Sequence, residues 1–125
     1  MAQKTILIVE DEVAMVEALS KKFEKEGFKV IEANDGEEGF KIAQETHPDL
    51  LMLDIIMSKM DGMELLKKIR EDDKWGASVP IIMLTNLSDA DNVSEAAKFQ
   101  VYDFLVKTDW RLDDVVNLVK QKLNM

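Results

Sequence analysis

The run Asp49-Leu50-Leu51-Met52-Leu53-Asp54 decides the fold. Leu50 to Leu53 are apolar without a break, and no polar residue alternates among them. Such a run reads as a short strand buried on both faces, the habit of parallel sheets. It stops at a carboxylate. In open α/β sheets ligands bind beyond the carboxyl ends of the strands, so Asp54 is the first residue the sequence marks as functional. The plainer alternative makes Asp54 a turn residue that caps the next helix. Met60-Asp61-Gly62 already supplies a turn a few residues on, which weakens that alternative.

Similar runs lie on either side. Thr5-Ile6-Leu7-Ile8-Val9 is a strand that ends in Glu10-Asp11-Glu12, and Lys29-Val30-Ile31-Glu32-Ala33 is a second. Val79-Pro80-Ile81-Ile82-Met83-Leu84 is a fourth, ending at Thr85, with Pro80 tolerable near the strand start. Val101-Tyr102-Asp103-Phe104-Leu105-Val106 is a fifth, ending at Lys107. Helical patterns fill the intervals. Met15, Val16, Leu19 and Phe23 share one face of the first, and Gly27 ends it as a C′ residue. Asn34-Asp35-Gly36 opens the second, with Phe40 and Ala43 inward, and His47-Pro48 stops it. Met63, Leu66 and Ile69 line the third, with Lys67, Lys68 and Glu71 outside. Residues 72–78 read as a polar loop. Ser88-Asp89 caps a short helix carrying Val93, Ala96 and Ala97. The last helix begins near Thr108-Asp109 and buries Leu112, Val115, Val116, Val119 and Leu123.

Strands therefore alternate with helices five times, which predicts a doubly wound five-stranded parallel sheet with helices on both faces. The pattern occupies residues 1–125 as one domain. The lack of cysteine excludes a disulfide framework and thiolate metal sites. A net charge of −9 without a basic stripe argues against nucleic acid as a partner. No apolar run is long enough to span a bilayer or to serve as a signal peptide, so the expected place is the cytoplasm, with no membrane contact.

A parallel sheet brings all strand C-termini to one edge. Glu10 and Asp11, Asp54, Thr85 and Lys107 would gather there. Crowded carboxylates raise one another's pKa and want a hard cation, and Mg²⁺ takes few carboxylates while keeping its waters. Asp54 then keeps an oxygen free to attack phosphorus and form an acyl phosphate. Mg²⁺ and Lys107 would neutralise the moving phosphoryl group, and Thr85 would hydrogen-bond one of its oxygens.

Ile6-Leu7-Ile8-Val9-Glu10-Asp11, Asp49-Leu50 to Asp54, Met57 to Gly62, Pro80 to Thr85 and Asp103-Phe104-Leu105-Val106-Lys107 together resemble the receiver domain of response regulators, over essentially the whole chain. The resemblance implies a flavodoxin-like sheet in the order 2-1-3-4-5. It implies that Asp54 accepts a phosphoryl group from a histidine kinase or phosphotransfer protein in two-component signalling. Asp11, Asp54 and the backbone carbonyl of Ile56 would hold Mg²⁺, with Glu10 in contact through water. Lys107 would bind the phosphoryl group, Thr85 would move toward it, and Phe104 matches the aromatic switch position. A downstream protein would read the result. Such a domain catalyses its own phosphorylation and dephosphorylation but is not a turnover enzyme.

Departures from the family pattern fall at Ser58, where Pro is usual, at Gln100-Val101 for Gly-Ala, at Asn86 for a small Ala, and at Thr108 for Pro. They touch the switch more than the chemistry. A trans Lys107-Thr108 bond is expected, since a cis bond before a non-proline costs about 2.5–4 kcal/mol. Other classes fit less well. Glu10-Asp11-Glu12 would repel the FMN phosphate of a flavodoxin-like carrier, and Ile56 stands where a dehalogenase-type phosphatase carries its second Asp. A pseudo-receiver would lack the acceptor or the Lys, and both are here. His47 reads as a surface turn, the methionines as core fillers and Trp110 as a candidate partner contact.

Overall fold

The computed structural model describes residues 3–57, 59–72, 74–85, 90–107 and 111–125, and of residues 90 and 91 the backbone only. Five strands, β1 (Thr5–Val9), β2 (Lys29–Ala33), β3 (Leu50–Asp54), β4 (Ile81–Thr85) and β5 (Asp103–Val106), pair in parallel in the order β2-β1-β3-β4-β5. Between and after them run α1 (Val13–Lys25), α2 (Gly36–Thr46), α3 (Gly62–Arg70), α4 (Trp75–Ser78), α5 (Ala90–Ala97) and α6 (Leu112–Lys122).

The apolar runs are apolar because both sheet faces are covered. Successive side chains point to opposite faces. Leu7, Val9, Leu51, Leu53, Ile81 and Met83 therefore join Ala43, Leu65, Leu66, Ile69 and Ala96 from α2, α3 and α5. Ile6, Ile8, Leu50, Met52, Ile82 and Leu84 join Val16, Leu19, Phe23, Val115, Val116 and Val119 from α1 and α6. Burying each such side chain is worth roughly 1.5–3 kcal/mol. β3 lies at the centre, and all its residues are buried, Asp54 included. Asp49 Oδ2, just before it, accepts the Thr5 N–H at 2.7 Å and sets the start of β3 beside that of β1.

The helix starts follow their capping residues. Asp35 Oδ1 accepts the Glu38 N–H and Asp61 Oδ1 the Glu64 N–H, each at 2.9 Å, and losing such a cap costs about 1 kcal/mol. Gly27 follows α1 with φ +97°, as a C′ glycine should.

Several details correct the sequence reading. Residues 75–78 form a helical turn, α4, inside the expected polar loop. Trp75 donates its indole N–H to Pro48 O at 2.8 Å and stacks on His47 at 4.7 Å, so the loop is pinned over the start of β3. Strands β4 and β5 each begin two residues later than expected; for β4 the reason is that Pro80 has no N–H for the ladder and serves only through its carbonyl, which accepts from Leu51. Val93 faces outward, α6 begins at Leu112 rather than near Thr108-Asp109, and Leu112 and Leu123, the latter past the helix end, are only partly buried. His47 is exposed, as expected of a turn, in a left-handed C-cap. Met52, Met63 and Met83 are buried core residues, and Met57 and Met60 pack against the core. Gln100 takes φ +65°, a conformation glycine adopts without strain, which gives its departure from Gly a physical meaning. Ser58, Asn86, Leu87, Thr108 with the bond before it, and Trp110 lie outside the described residues.

Candidate functional site

Ladder register assembles the site. Asp54 ends β3 opposite Leu84, and Thr85 ends β4 opposite Val106. The Lys107 N–H then donates to Thr85 O at 2.6 Å, one rung past the end of β5. The Glu10 N–H likewise donates to Ala33 O at 3.1 Å, one rung past β1. Four strand ends thus deliver Glu10, Asp54, Thr85 and Lys107 to the same edge, as the sequence predicts.

The side chains meet there. Lys107 Nζ lies 2.5 Å from Glu10 Oε1 and 3.1 Å from Asp54 Oδ2, with Glu10 fully buried and Lys107 and Asp54 nearly so. Glu12 Oε2 stands farther out, 3.8 Å from the ammonium. Asp54 Oδ1 accepts the Ile56 N–H at 3.3 Å, which ties the loop after β3 to the Asp54 carboxylate. Glu10 Oε2 accepts the Glu12 N–H at 3.1 Å. The contact of Glu10 Oε1 with Lys107 is one of charge rather than of aligned donor and acceptor, since that buried oxygen has no hydrogen bond of acceptable direction.

Electrostatics follow from the burial. Loss of solvent pushes the Glu10 carboxyl up to about 7, the Asp54 carboxylate beside it adds to the rise, and Lys107 opposes it. Burial works against the charge on Lys107, but Glu10 and Asp54 outweigh it and hold the ammonium above its usual range.

Glu10, Asp11 and Asp54 offer carboxylate oxygens that all lie within 4.8 Å of one another. Asp11 is exposed and, among the described residues, has no ion pair or hydrogen bond of its side chain. Three converging carboxylates, one with a buried oxygen lacking an aligned donor, fit a hard divalent cation. The Ile56 carbonyl belongs to the adjoining loop, and the Ile56 side chain is 77% exposed at its rim. Thr85 is buried beside Lys107 in the ladder. Phe104 is half-buried and packs against the α2/α3/α5 core, so the candidate switch aromatic sits part-way between core and solvent. A groove of about 570 Å³ opens next to this site between α3 and α5, lined by Ile56, Met57, Met63, Lys67 and Glu95. Asp54 does not line it, so the carboxylate cluster lies at the sheet edge, outside this groove.

Sequence reasoning missed Glu12 as a neighbour of Lys107 and passed over Arg70. Arg70 Nε donates to Phe99 O at 2.8 Å, and Nη1 donates to Gly76 O at 2.9 Å and Val79 O at 2.8 Å. Its partners are carbonyls, which leave no trace in side-chain spacing.

A family model for the response regulator receiver domain matches residues 6–120. Over 105 residues the chain is 35% identical to the probable transcriptional regulator ycf27 of Cyanophora paradoxa, covering 84% of this chain and 42% of that protein. The chain spans less than half the length of the curated relatives it matches. It is similar in structure to a CheY-like response regulator receiver domain protein from Methanospirillum hungatei JF-1, with 26% identity, a TM-score of 0.90 and 98% and 95% of the two chains covered. It also matches a chain of the CheX-CheY-BeF3-Mg²⁺ complex from Borrelia burgdorferi at 33% identity and a TM-score of 0.83, over 94% of this chain and 87% of that one.

Proposed function

The chain belongs to the response regulator receiver domain family, and on that premise we propose that Asp54 accepts a phosphoryl group from a histidine kinase or phosphotransfer protein. The observation that carries this is the buried Lys107 ammonium 3.1 Å from Asp54 Oδ2 at the carboxyl edge of the sheet. An Asp54 oxygen attacks phosphorus, and Lys107 offsets the charge on the equatorial oxygens. Thr85 hydrogen-bonds one of those oxygens and moves toward it, and Phe104 follows into the space vacated. Glu10, Asp11, Asp54 and the Ile56 carbonyl would hold Mg²⁺, which when bound supplies further positive charge to the phosphoryl oxygens.

The signal leaves by protein contact with a downstream partner. The domain removes its own phosphoryl group in time and turns over no separate substrate. The name of the Borrelia complex, which joins a related chain to BeF3, Mg²⁺ and CheX, supports both the ion chemistry and the mode of output. The net charge of −9 supports a protein partner over nucleic acid. No described helix is long and apolar enough to cross a membrane, and a cytoplasmic setting without membrane contact is part of the same reading.

The test is intact mass after incubation with acetyl phosphate and Mg²⁺. One phosphoryl adduct is expected, absent without Mg²⁺ and absent in Asp54→Asn. A mutant that labels as fully as the wild type would place the acceptor elsewhere.

A further inference from the structure

Three carboxylates surround the Lys107 ammonium, and the proposed reaction gives work to only two of them. Glu12 is the third. Its side chain is 58% exposed where that of Lys107 is 6% exposed, so Glu12 stands on the solvent side of the ammonium. Its placement has a second peculiarity. Glu12 is the N-cap of α1, a position that favours Ser, Thr, Asp or Asn because a short side chain can bond back to the first turn. Glu12 makes no such bond. Its backbone does the local work, donating to Glu10 Oε2 and accepting from the Met15 and Val16 N–H groups. The carboxylate is left to face Lys107.

An ammonium has three N–H donors. Glu10 and Asp54 are the close partners, and Glu12 at 3.8 Å is too far for a hydrogen bond but near enough to hold charge over the open side. A phosphoryl oxygen bound at Asp54 would need a donor from the same ammonium. We propose that Glu12 is a positioning residue which occupies the solvent side of Lys107 and makes the acceptor discriminate against small, highly charged phosphodonors. The inference rests on the reading of Asp54 as phosphoryl acceptor. Glu12 competes with the incoming oxygen for the ammonium, and its charge repels the donor. A protein donor offsets that repulsion with contacts elsewhere on its docked surface. A small anion has none to offer.

With acetyl phosphate the step balances without a proton. An Asp54 oxygen forms the new bond to phosphorus with its own electron pair. The bond from phosphorus to the acetate oxygen breaks, and acetate leaves with that pair.

The experiment measures the rate of uptake by the full chain, by intact mass at fixed Mg²⁺, from acetyl phosphate and from the less charged phosphoramidate. Glu12→Gln keeps the shape and removes the charge. Its uptake from acetyl phosphate is expected to rise about fivefold at low ionic strength, the order set by one exposed charge several ångströms from a dianion. The gain should be smaller with phosphoramidate and should shrink as salt is added, which a purely structural role would not produce. Uptake no faster than wild type, or a gain blind to donor charge and salt, overturns the inference while leaving the acceptor intact. If neither the wild type nor Glu12→Gln labels from either donor, the acceptor reading falls and this inference with it.

Discussion

Lys107 and Arg70 are both cations drawn in from solvent, at opposite edges of the same sheet. Lys107 follows β5 at the carboxyl edge and is held by the carboxylates of Glu10 and Asp54. Arg70 closes α3 at the other edge, just before β4 and β5, and donates only to the carbonyls of Gly76, Val79 and Phe99. Among the described residues no carboxylate pairs with it. Burial pulls its guanidinium below the usual range, yet not enough to discharge an arginine. The rigid fork satisfies three fixed acceptors at once and has no reason to let go. The ammonium is shared among carboxylates, and one of these, Asp54, is the group whose charge the proposed reaction changes. Neutral partners make a cation a fastening, and charged partners leave it ready to respond.

The contrast breaks if the two residues exchange symptoms. Lys107→Ala should lower phosphoryl uptake at least about 100-fold, the usual cost of deleting a donor to a developing anionic oxygen. Arg70→Ala should label at a rate close to wild type, measured below its melting transition. Its loss should appear in stability, at about 3 kcal/mol or roughly 10 °C, because three carbonyls lose a charged donor together. Arg70→Lys should recover less than half of this, since a single ammonium cannot span the fork. Urea titration and thermal melts measure both, and an Arg70→Ala that melts with the wild type would refute the fastening.

The other predictions sharpen the responsive edge. Hydrolysis needs a water aligned behind phosphorus, and Ile56 can neither donate nor accept through its side chain. Two residues after Thr85 the sequence places a second such apolar residue, Leu87. Ile56→Asn with Leu87→Glu should shorten the phosphorylated lifetime about tenfold, or roughly 1.4 kcal/mol of barrier. The decay of label after donor removal, at constant Mg²⁺, reads it, and equal decay would reduce both side chains to rim packing. Smallest is the effect of carboxylate crowding. Asp11→Asn should raise the melting temperature in EDTA by a few degrees, about 1 kcal/mol. Crowding alone would give Asp54→Asn the same gain, but Asp54 also faces Lys107, so its gain should be the lesser. Mg²⁺ should narrow both differences, because it binds the folded wild-type site best. A wild type melting above both mutants in EDTA would contradict the crowding argument.

What the sequence could disclose follows the same division. Runs such as Ile6–Val9 and Leu50–Leu53 announce buried strands, because apolar runs this short, bounded by polar residues, suit a strand covered on both faces. Polar residues at the ends of such runs announce the edge, so Glu10, Asp54, Thr85 and Lys107 were legible one strand at a time. Arg70 was not, since its acceptors are backbone atoms 6, 9 and 29 residues away. The turn α4 was hidden for a different reason. Four residues are too few to show a helical period, and Trp75 is fixed by a carbonyl and by His47 rather than by a pattern. Val93 misled because an apolar residue at helical spacing is expected inside, although single exposed ones are ordinary.

The connection between β3 and α3 is fastened at its base and farther along. Gly62 donates its N–H to Ile55 O at 2.8 Å, and a Cβ there would stand 2.1 Å from the carbonyl oxygen of Asp54. Met60 lies so close to Gly36 that a Cβ on that glycine would fall 2.0 Å from the Met60 carbonyl oxygen. Surface loops ordinarily absorb insertions and deletions over evolutionary time. This one has lost that freedom. Adding or removing a residue between Ile55 and Gly62 would either open the closure behind Asp54 or drive Met60 off α2. Substitutions within the loop should therefore be tolerated more readily than any change in its number of residues.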